Sequence, residues 1–192
     1  MFKLFAHSLL RRLIGPRMAY GYRRHDGARL LHTRVSTAAE LQSPQQLQIE
    51  DHVFIGHFNF IDASGGLSIG EGTQITNHVS VLSHSSHVAV RLMGRRYWGH
   101  PEPAGLTRAA TVIGPYCFIG PGAVIAPGAC LGRGVLVRAH SYVDGEFPDF
   151  AIVGGQPAQV VGDVREMDAA WLQRHPEIAA HYCGIGWPQA PR

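Results

Sequence analysis

The sequence predicts an all-β fold in which short strands coil repeatedly around one core. The first observation is a hydrophobic repeat with a period of six residues, which suits neither an α-helix nor a continued strand alternation. The second is a high content of turn formers, 23 glycines and 12 prolines among 192 residues. The third is one long interruption of the repeat, which indicates a loop projecting from a regular scaffold.

The repeat occupies two blocks of the chain. The later block places an aliphatic residue at every sixth position, at Ile113, Ile119, Ile125, Leu131, Val137 and Val143. The earlier block has the same register, with a two-residue slip in its middle, at Ile49, Ile55, Ile61, Ile69, Ile75 and Val81. We expect these side chains to fill the core, with small residues two positions earlier. We also expect the following glycines to supply the positive φ of the corners, at Gly114, Gly120 and Gly132.

The charge distribution argues against nucleic acid as a partner. The formal net charge is +3, but residues 1–40 carry eight basic and two acidic side chains. The rest of the chain carries nine basic and twelve acidic ones. A nucleic-acid-binding domain normally has a basic stripe on its folded body. The length fits a single domain with small terminal additions.

Three cysteines, Cys117, Cys130 and Cys183, form no C-x-x-C pair, and an odd count argues against a disulfide framework. A reducing cytoplasm is the predicted compartment. We expect Cys117 and Cys130 to be small residues of the core or wall that face the interior.

The ends of the chain differ from the repeat. Residues 1–45 are predicted to be a basic helical arm, because apolar residues near its start share one helical stripe, at Phe2, Phe5, Leu9, Leu10 and Leu13. Arg11 and Arg12 break this apolar run, which is too short to span a bilayer. The arm is expected to pack on its own domain or on a neighbouring subunit. Weak peripheral contact with anionic lipid is the alternative. Residues 163–192 are predicted to form a helical tail.

The interruption spans residues 82–110 and reads "LSHSSHVAVRLMGRRYWGHPEPAGLTRAA". His84 and His87 stand at its beginning. Because histidine titrates near neutral pH, a histidine at the mouth of such a loop is a candidate general base.

Residues 47–162 resemble the hexapeptide-repeat sugar O-acetyltransferases, the group that contains galactoside and maltose acetyltransferases. The segments "VFIGHFNFID", "IGPYCFIGPGAVIAPGACLG" and "VGGQPAQVV" carry the resemblance in the coils. The loop match is more specific. It reproduces the run H-x2-H-x3-R-x2-G-x2-Y at His84, His87, Arg91, Gly94 and Tyr97.

The resemblance implies a left-handed parallel β-helix of about four coils over residues 46–162, with the extruded loop at 82–110 and short helices at both ends. It implies transfer of acetyl from acetyl-CoA to a sugar hydroxyl, with no metal. A homotrimer is expected, because one prism offers flat walls but no deep cleft. The first 45 residues lack the usual maltose-type motif, so a surface-polysaccharide or glycan precursor is the predicted acceptor.

The resemblance also implies the site residues. His84 is the predicted general base, its Nδ1 held by a backbone carbonyl or a carboxylate. The predicted substrate-binding residues are Asn59, Asp62, His87, Arg91 and Tyr97. The predicted coenzyme-binding residues are Phe118, which stands where the family has tryptophan, and Gly120, Ala139 and Gly155.

Other functions stay open at this point. An amino sugar as acceptor would make the protein an N-acyltransferase. A zinc enzyme similar to the gamma carbonic anhydrases would need three imidazoles around one ion. The candidates for that set are His52, His57 and His78. A non-catalytic β-helix scaffold is the third alternative.

Overall fold

The structure is a computed structural model that describes residues 14–179 and Tyr182. Short strands form three walls of a prism. Wall A contains β2 (Arg29–Ser36), β5 (Phe54–Ile55), β8 (Gln74–Ile75), β13 (Phe118–Ile119), β16 (Leu136–Val137) and β19 (Ala151–Gly155). Wall B contains β3 (Glu40–Gln42), β6 (Phe60–Asp62), β9 (Ser80–Val81), β14 (Val124–Ile125) and β17 (Tyr142–Val143). Wall C contains β4 (Leu47–Ile49), β7 (Leu67–Ile69), β12 (Thr111–Ile113), β15 (Cys130–Leu131) and β18 (Glu146–Phe147).

The chain visits walls B, C and A in turn, and neighbouring strands of each wall pair in parallel. The protein is therefore a parallel β-helix. Walls B and C have five strands each among the described residues, which gives five circuits instead of the predicted four. The additional circuit was missed because the period changes at both ends. Leu41 lies eight residues before Ile49, and Phe147 lies four after Val143.

The core consists of the repeated aliphatic residues. All twelve predicted core side chains are buried, with at most 1% of their surface exposed. The residues two positions earlier are buried as well, including Cys117, Ala123 and Ser141. Burying this much apolar surface is the main stabilising contribution to such a fold.

The glycines that follow the core aliphatics do not turn the corners, contrary to prediction. Gly120 does not have a positive φ. A Cβ on Gly120 would lie 2.6 Å from the backbone nitrogen of Ala139 in the next coil, so this position needs the absence of a side chain. The left-handed backbone occurs instead three residues before ten of the twelve core aliphatics, all except Ile49 and Ile113. Glycine holds this position at Gly122 and Gly134, and histidine holds it at His78 and His140.

The predicted loop leaves the prism between walls B and C. Its base is an antiparallel ribbon of β10 (His84–Ser85) and β11 (Thr107–Arg108). A short helix α1 (His87–Met93) and a 3-10 turn (Gly94–Tyr97) follow β10.

The ends of the described chain are hairpins and a helix. β1 (Met18–Arg23) pairs antiparallel with β2, so this part of the predicted helical arm is β structure that extends wall A. The apolar helical stripe predicted near the start falls on residues 1–13, outside the described residues. β20 (Ala158–Asp163) pairs antiparallel with β19 and leads into α2 (Val164–Arg174), whose backbone N–H at Arg165 donates to the capping Asp163.

Two further 3-10 turns lie at Pro44–Gln46 and Pro176–Ile178. None of the helices in residues 14–179 combines the length and the apolar character that crossing a bilayer requires.

Candidate active site

The loop base is tied to the prism on both sides. The backbone N–H of Leu82 donates to Ile125, which continues wall B past β9. The hydroxyl of Thr111, where the chain returns to the prism, donates to the carbonyl of Leu82 at 2.7 Å. The backbone N–H of Ala109 donates to Ser83. His84 is therefore held on a rigid ribbon at the edge of the prism.

His84 is hydrogen-bonded to a buried carboxylate. Its Nδ1 lies 2.7 Å from Oδ2 of Asp62, and the Asp62 side chain has no exposed surface. Because an ionised carboxylate can only accept, Nδ1 carries the proton and Nε2 is left with a free lone pair. The His84 side chain is 36% exposed, so its ring is accessible from outside. This is the arrangement that a histidine base requires.

Two serines complete the surroundings of Asp62. The backbone N–H and the hydroxyl of Ser83 donate to Oδ2, and the backbone N–H of Ser64 donates to Oδ1. The Ser64 hydroxyl lies 2.9 Å from Nδ1 of His84. Burial raises the pKa of Asp62, but the hydrogen bonds from His84, Ser64 and Ser83 outweigh it and hold the pKa well below its ordinary value. The carboxylate is therefore ionised beneath the histidine.

The structure gives Asp62 a different position from the predicted one of a substrate ligand. Its side chain is covered and hydrogen-bonded to His84, so it is placed to orient that imidazole from beneath. The strand register explains why Asp62 and His84 lie together. Ile61 pairs with Val81, so the end of β6 lies beside the residues that follow β9.

Asn59 is buried inside a corner of the prism. Its amide group donates to the carbonyls of Gly56 and Thr76 and accepts from the backbone N–H of Val79. Contact with an acceptor sugar would require these bonds to open, so we place Asn59 outside the site.

The remaining predicted acceptor residues lie on the loop. Nδ1 of the exposed His87 is 2.7 Å from the hydroxyl of Ser85. The guanidinium of Arg91 donates to the carbonyl of His87 and so bonds back onto its own helix. Tyr97 lines an open recess of about 410 Å³ in the outer half of the loop. The other lining residues are Trp98, Gly99, His100, Pro103, Leu106 and Arg108.

The predicted coenzyme residues occupy different positions on the prism. Phe118 is 41% exposed on wall A, and Ala139 is exposed at the corner that follows β16. Gly120 is buried under that corner, so its backbone supports Ala139 and does not face outward. Gly155 is exposed, with φ of 106°, at the end of β19.

The two cysteines of the described residues differ in exposure, and Cys117 is not placed for nucleophilic catalysis. Cys117 is buried, and burial raises the pKa of its thiol to about 12. Cys130 lies beside the buried Leu131 in β15 and therefore faces outward, which corrects the expectation that it faces the interior. Both are free thiols.

The histidines considered as zinc ligands do not come together. Within the described residues, His52, His57 and His78 form no group with metal-ligand spacing. His52 groups instead with His32 and Asp51. The rings of His32 and His52 stack in parallel at 4.4 Å, so one ion could not lie in both ring planes.

Sequence analysis did not identify Ser64, Ser83 and Arg108 as parts of the site. The two serines lie near Asp62 and His84 in sequence, and the strand register could have indicated them. Arg108 is 24 residues from His84, and only the β10–β11 pairing brings it near.

Comparison with known proteins agrees with this architecture. Residues 110–145 match the family described as bacterial transferase hexapeptide (six repeats). This stretch therefore carries the sequence signature of hexapeptide repeats. No curated protein sequence matches it significantly.

Solved structures resemble a larger part of the chain. AntD, an N-acyltransferase from Bacillus cereus in complex with dTDP and 3-hydroxybutyryl-CoA, is 17% identical over 74% of this chain and 88% of its own, with a TM-score of 0.52. Galactoside acetyltransferase in complex with coenzyme A is 20% identical over 69% and 65%, with a TM-score of 0.46. A hexapeptide-repeat acetyltransferase from Vibrio cholerae complexed with acetyl coenzyme A is 25% identical over 65% and 67%, with a TM-score of 0.45. The likeness to AntD shows a shared fold.

Proposed function

We propose that this protein is an acyl-CoA-dependent O-acetyltransferase that acetylates a sugar hydroxyl, with His84 as general base. One observation carries the proposal: Nδ1 of His84 lies 2.7 Å from the buried carboxylate of Asp62 at the base of the extruded loop. A sugar hydroxyl is a poor nucleophile at neutral pH, so its attack on a thioester needs a base beside the oxygen.

The proposed acetyl transfer follows from the protonation of His84 beside the ionised Asp62. Nε2 of His84 accepts the hydroxyl proton as the sugar oxygen attacks the thioester carbonyl carbon. The positive imidazolium is stabilised by Asp62, much as in other carboxylate-oriented histidines. The carbon–sulfur bond then breaks, the imidazolium returns the proton to the departing thiolate, and an acetyl ester and coenzyme A result. Backbone N–H groups of a neighbouring subunit's coil are the proposed donors to the oxyanion.

We infer the acyl donor, a coenzyme A thioester, from similar proteins. AntD binds a coenzyme A thioester, and the loop run from His84 to Tyr97 resembles the acetyl-transferring galactoside enzymes. We place the donor along wall A, near Phe118 and Ala139, which are both exposed there. No metal enters this reaction.

A homotrimer is part of the proposal. The outward faces of walls A and B carry exposed apolar side chains, including Phe118 and Tyr142. Three prisms side by side would bury such faces. They would also form three grooves, each between His84 of one subunit and wall A, the proposed coenzyme surface, of the next.

We further propose a surface-polysaccharide or glycan precursor as the acceptor and the cytoplasm as the compartment. Free thiols at Cys117 and Cys130 fit a reducing environment.

A thiol-release assay with acetyl-CoA and a panel of nucleotide- and lipid-linked sugars tests the proposal. We expect His84→Ala to lower kcat on the order of 10²- to 10⁴-fold, which is the usual contribution of a general base. His87→Ala is the comparison on the same loop: its imidazole is bonded to the hydroxyl of Ser85 and not to a carboxylate, so its loss should change the KM for the acceptor and leave kcat nearly unchanged. Undiminished turnover by His84→Ala would refute the assignment.

N-acylation of an amino sugar is the second candidate, and the fold shared with the N-acyltransferase AntD is what favours it. An alkali-labile product identifies an ester and supports O-transfer. An alkali-stable amide identifies N-transfer.

A further inference from the structure

Arg108, which is not among the predicted site residues, lies opposite His84 at the base of the loop. Arg108 is the direct partner of His84 in the antiparallel ribbon of β10 and β11. Side chains of directly opposed residues lie on the same face of such a ribbon, with Cβ atoms about 5 Å apart. The guanidinium of Arg108 is therefore within reach of any molecule that contacts Nε2 of His84.

Arg108 also lines the loop recess. The recess has a volume of about 410 Å³, which lies within the usual range of small-molecule sites. Its lining residues include Tyr97, Trp98 and His100, all of which carry flat rings. Trp98 is 88% exposed and offers a large flat face to solvent. Arg108 thus connects the recess to the catalytic histidine.

The chemistry of the recess combines flat rings with one fixed positive charge. Aromatic faces pack against the C–H groups of a pyranose ring, and a guanidinium binds carboxylate or phosphate through two parallel hydrogen bonds. Arg108 is exposed, and its guanidinium makes no hydrogen bond or ion pair with the described residues. By contrast, Arg91 on the same loop is already bonded to the carbonyl of His87.

We infer that the acceptor is a negatively charged sugar, whose carboxylate or phosphate binds Arg108 while its ring lies in the loop recess. This inference rests on the proposed function, because the acetylated hydroxyl of the same sugar must reach Nε2 of His84. It narrows the acceptor class to uronic acids and sugar phosphates, with nucleotide sugars included among the latter.

The position of Arg108 favours the acceptor over the donor as its ligand. Arg108 lies on the loop, opposite the base that activates the acceptor. The proposed coenzyme residues Phe118 and Ala139 lie on the prism itself. An arginine that bound a coenzyme phosphate would change the KM for acetyl-CoA with every acceptor, charged or neutral.

Matched pairs of sugars test the inference. Galacturonate is compared with galactose, and glucose 1-phosphate with glucose, for the wild type, Arg108→Gln and Arg95→Gln. Arg95→Gln removes the same charge from the same loop but lies outside the recess. Binding is measured by saturation-transfer NMR without donor, and turnover is measured by thiol release.

We expect the wild type to prefer the charged member of at least one pair. Arg108→Gln should reduce this preference on the order of 10- to 100-fold, because a charge-assisted bond is lost, and Arg95→Gln should preserve it. Equal binding of charged and neutral sugars by the wild type overturns the inference. So does an equal effect of the two arginine variants, or an Arg108→Gln effect confined to the KM for acetyl-CoA.

The two readouts separate this inference from the proposed function. Turnover of neutral and charged sugars without charge preference refutes the inference and leaves acetyl transfer intact. Arg108-dependent binding of charged sugars without any turnover supports the anionic site and refutes the proposed function.

Discussion

Asp62 shows how one buried residue controls a partly exposed one. The carboxylate lies under the loop base without exposed surface, and three residues donate to it. Its charge keeps the proton of His84 on Nδ1 and would stabilise the imidazolium that forms during proton transfer. In the proposed function Asp62 is therefore a positioning residue, because a side chain without exposed surface does not reach the substrate.

Asp62→Asn is expected to lower kcat about 10²-fold or more while the KM for acetyl-CoA stays within about twofold. An amide replaces one of the two accepting oxygens with a donor and carries no charge. The imidazole of His84 therefore loses its orientation, and the imidazolium loses its charge partner. Steady-state kinetics with both substrates measure kcat and the KM for acetyl-CoA separately. Ser64→Ala keeps the carboxylate and should lower kcat much less. Equal losses in kcat for the two variants would contradict this role.

The lowered pKa of Asp62 also makes a prediction about stability. Its pKa is lower in the folded protein than the ordinary value of 3.8, so the unfolded chain binds more protons in acid. The stabilisation is therefore complete above about pH 5 and is lost as the pH falls through and below the ordinary value. Urea unfolding of the wild type and Asp62→Asn from pH 6 to pH 2 checks the sign. The stability difference between the two proteins should shrink as the pH falls, and a difference that stays constant or grows would contradict the argument.

At the scale of the elements, packing between coils decides which residues the corners tolerate. Gly120 is required by the close approach of the next coil at Ala139, and not by its own φ. Corner positions with left-handed backbone lie two residues later, as at Gly122, and accept histidine elsewhere, as at His140.

Gly120→Ala is expected to destabilise the protein by about 1–3 kcal/mol, the usual effect of inserting a methyl group into a tightly packed region. The new Cβ would meet backbone atoms of the next coil at 2.6 Å and 2.7 Å. Gly154→Ala is the control, because its Cβ would meet only the side chain of Arg138 at 3.1 Å, which can move. Denaturant unfolding compares the two. A Gly120→Ala variant as stable as Gly154→Ala would refute the packing argument.

The hexad period predicted the core and the loop but not the details that depend on a neighbouring coil. Each core aliphatic is defined by its own spacing in the sequence, so Ile119 and Val137 could be assigned directly. The role of Gly120 depends on which backbone lies above it. The role of Asp62 depends on a register that brings β6 beside β9. Arg108 depends on a ribbon between two segments without any repeat, so no sequence pattern indicated it.

At the scale of the whole molecule, the proposed base His84 and its partner Asp62 lie at the edge of a single prism, and the recess of the neighbouring loop is open. His84 and the exposed Phe118 lie on different elements of the same subunit, at a wall junction and on wall A. The proposed groove between subunits would supply the missing side of the site.

Subunit mixing tests this shared site. His84→Ala and Ala139→Trp chains should each be inactive alone, the second because an indole would fill the coenzyme groove. Equal mixing with co-refolding should restore activity in about a quarter of the grooves, if each groove takes one side from each of two neighbouring subunits. Sedimentation at micromolar concentration should give a trimer. Full activity of a monomer, or no recovery on mixing two folded variants, would exclude the shared site.

The bond from Thr111 to Leu82 closes the prism beneath the loop, so the coils continue as though the intervening residues were absent. In the proposed function we therefore expect mutations in the outer loop to change acceptor recognition more than they change folding. Mutations in the coils are constrained by neighbours above and below. Over evolutionary time the loop and the coils are free to diverge at different rates. An insertion at this junction would give related proteins new acceptors while the sequence pattern of the prism is preserved.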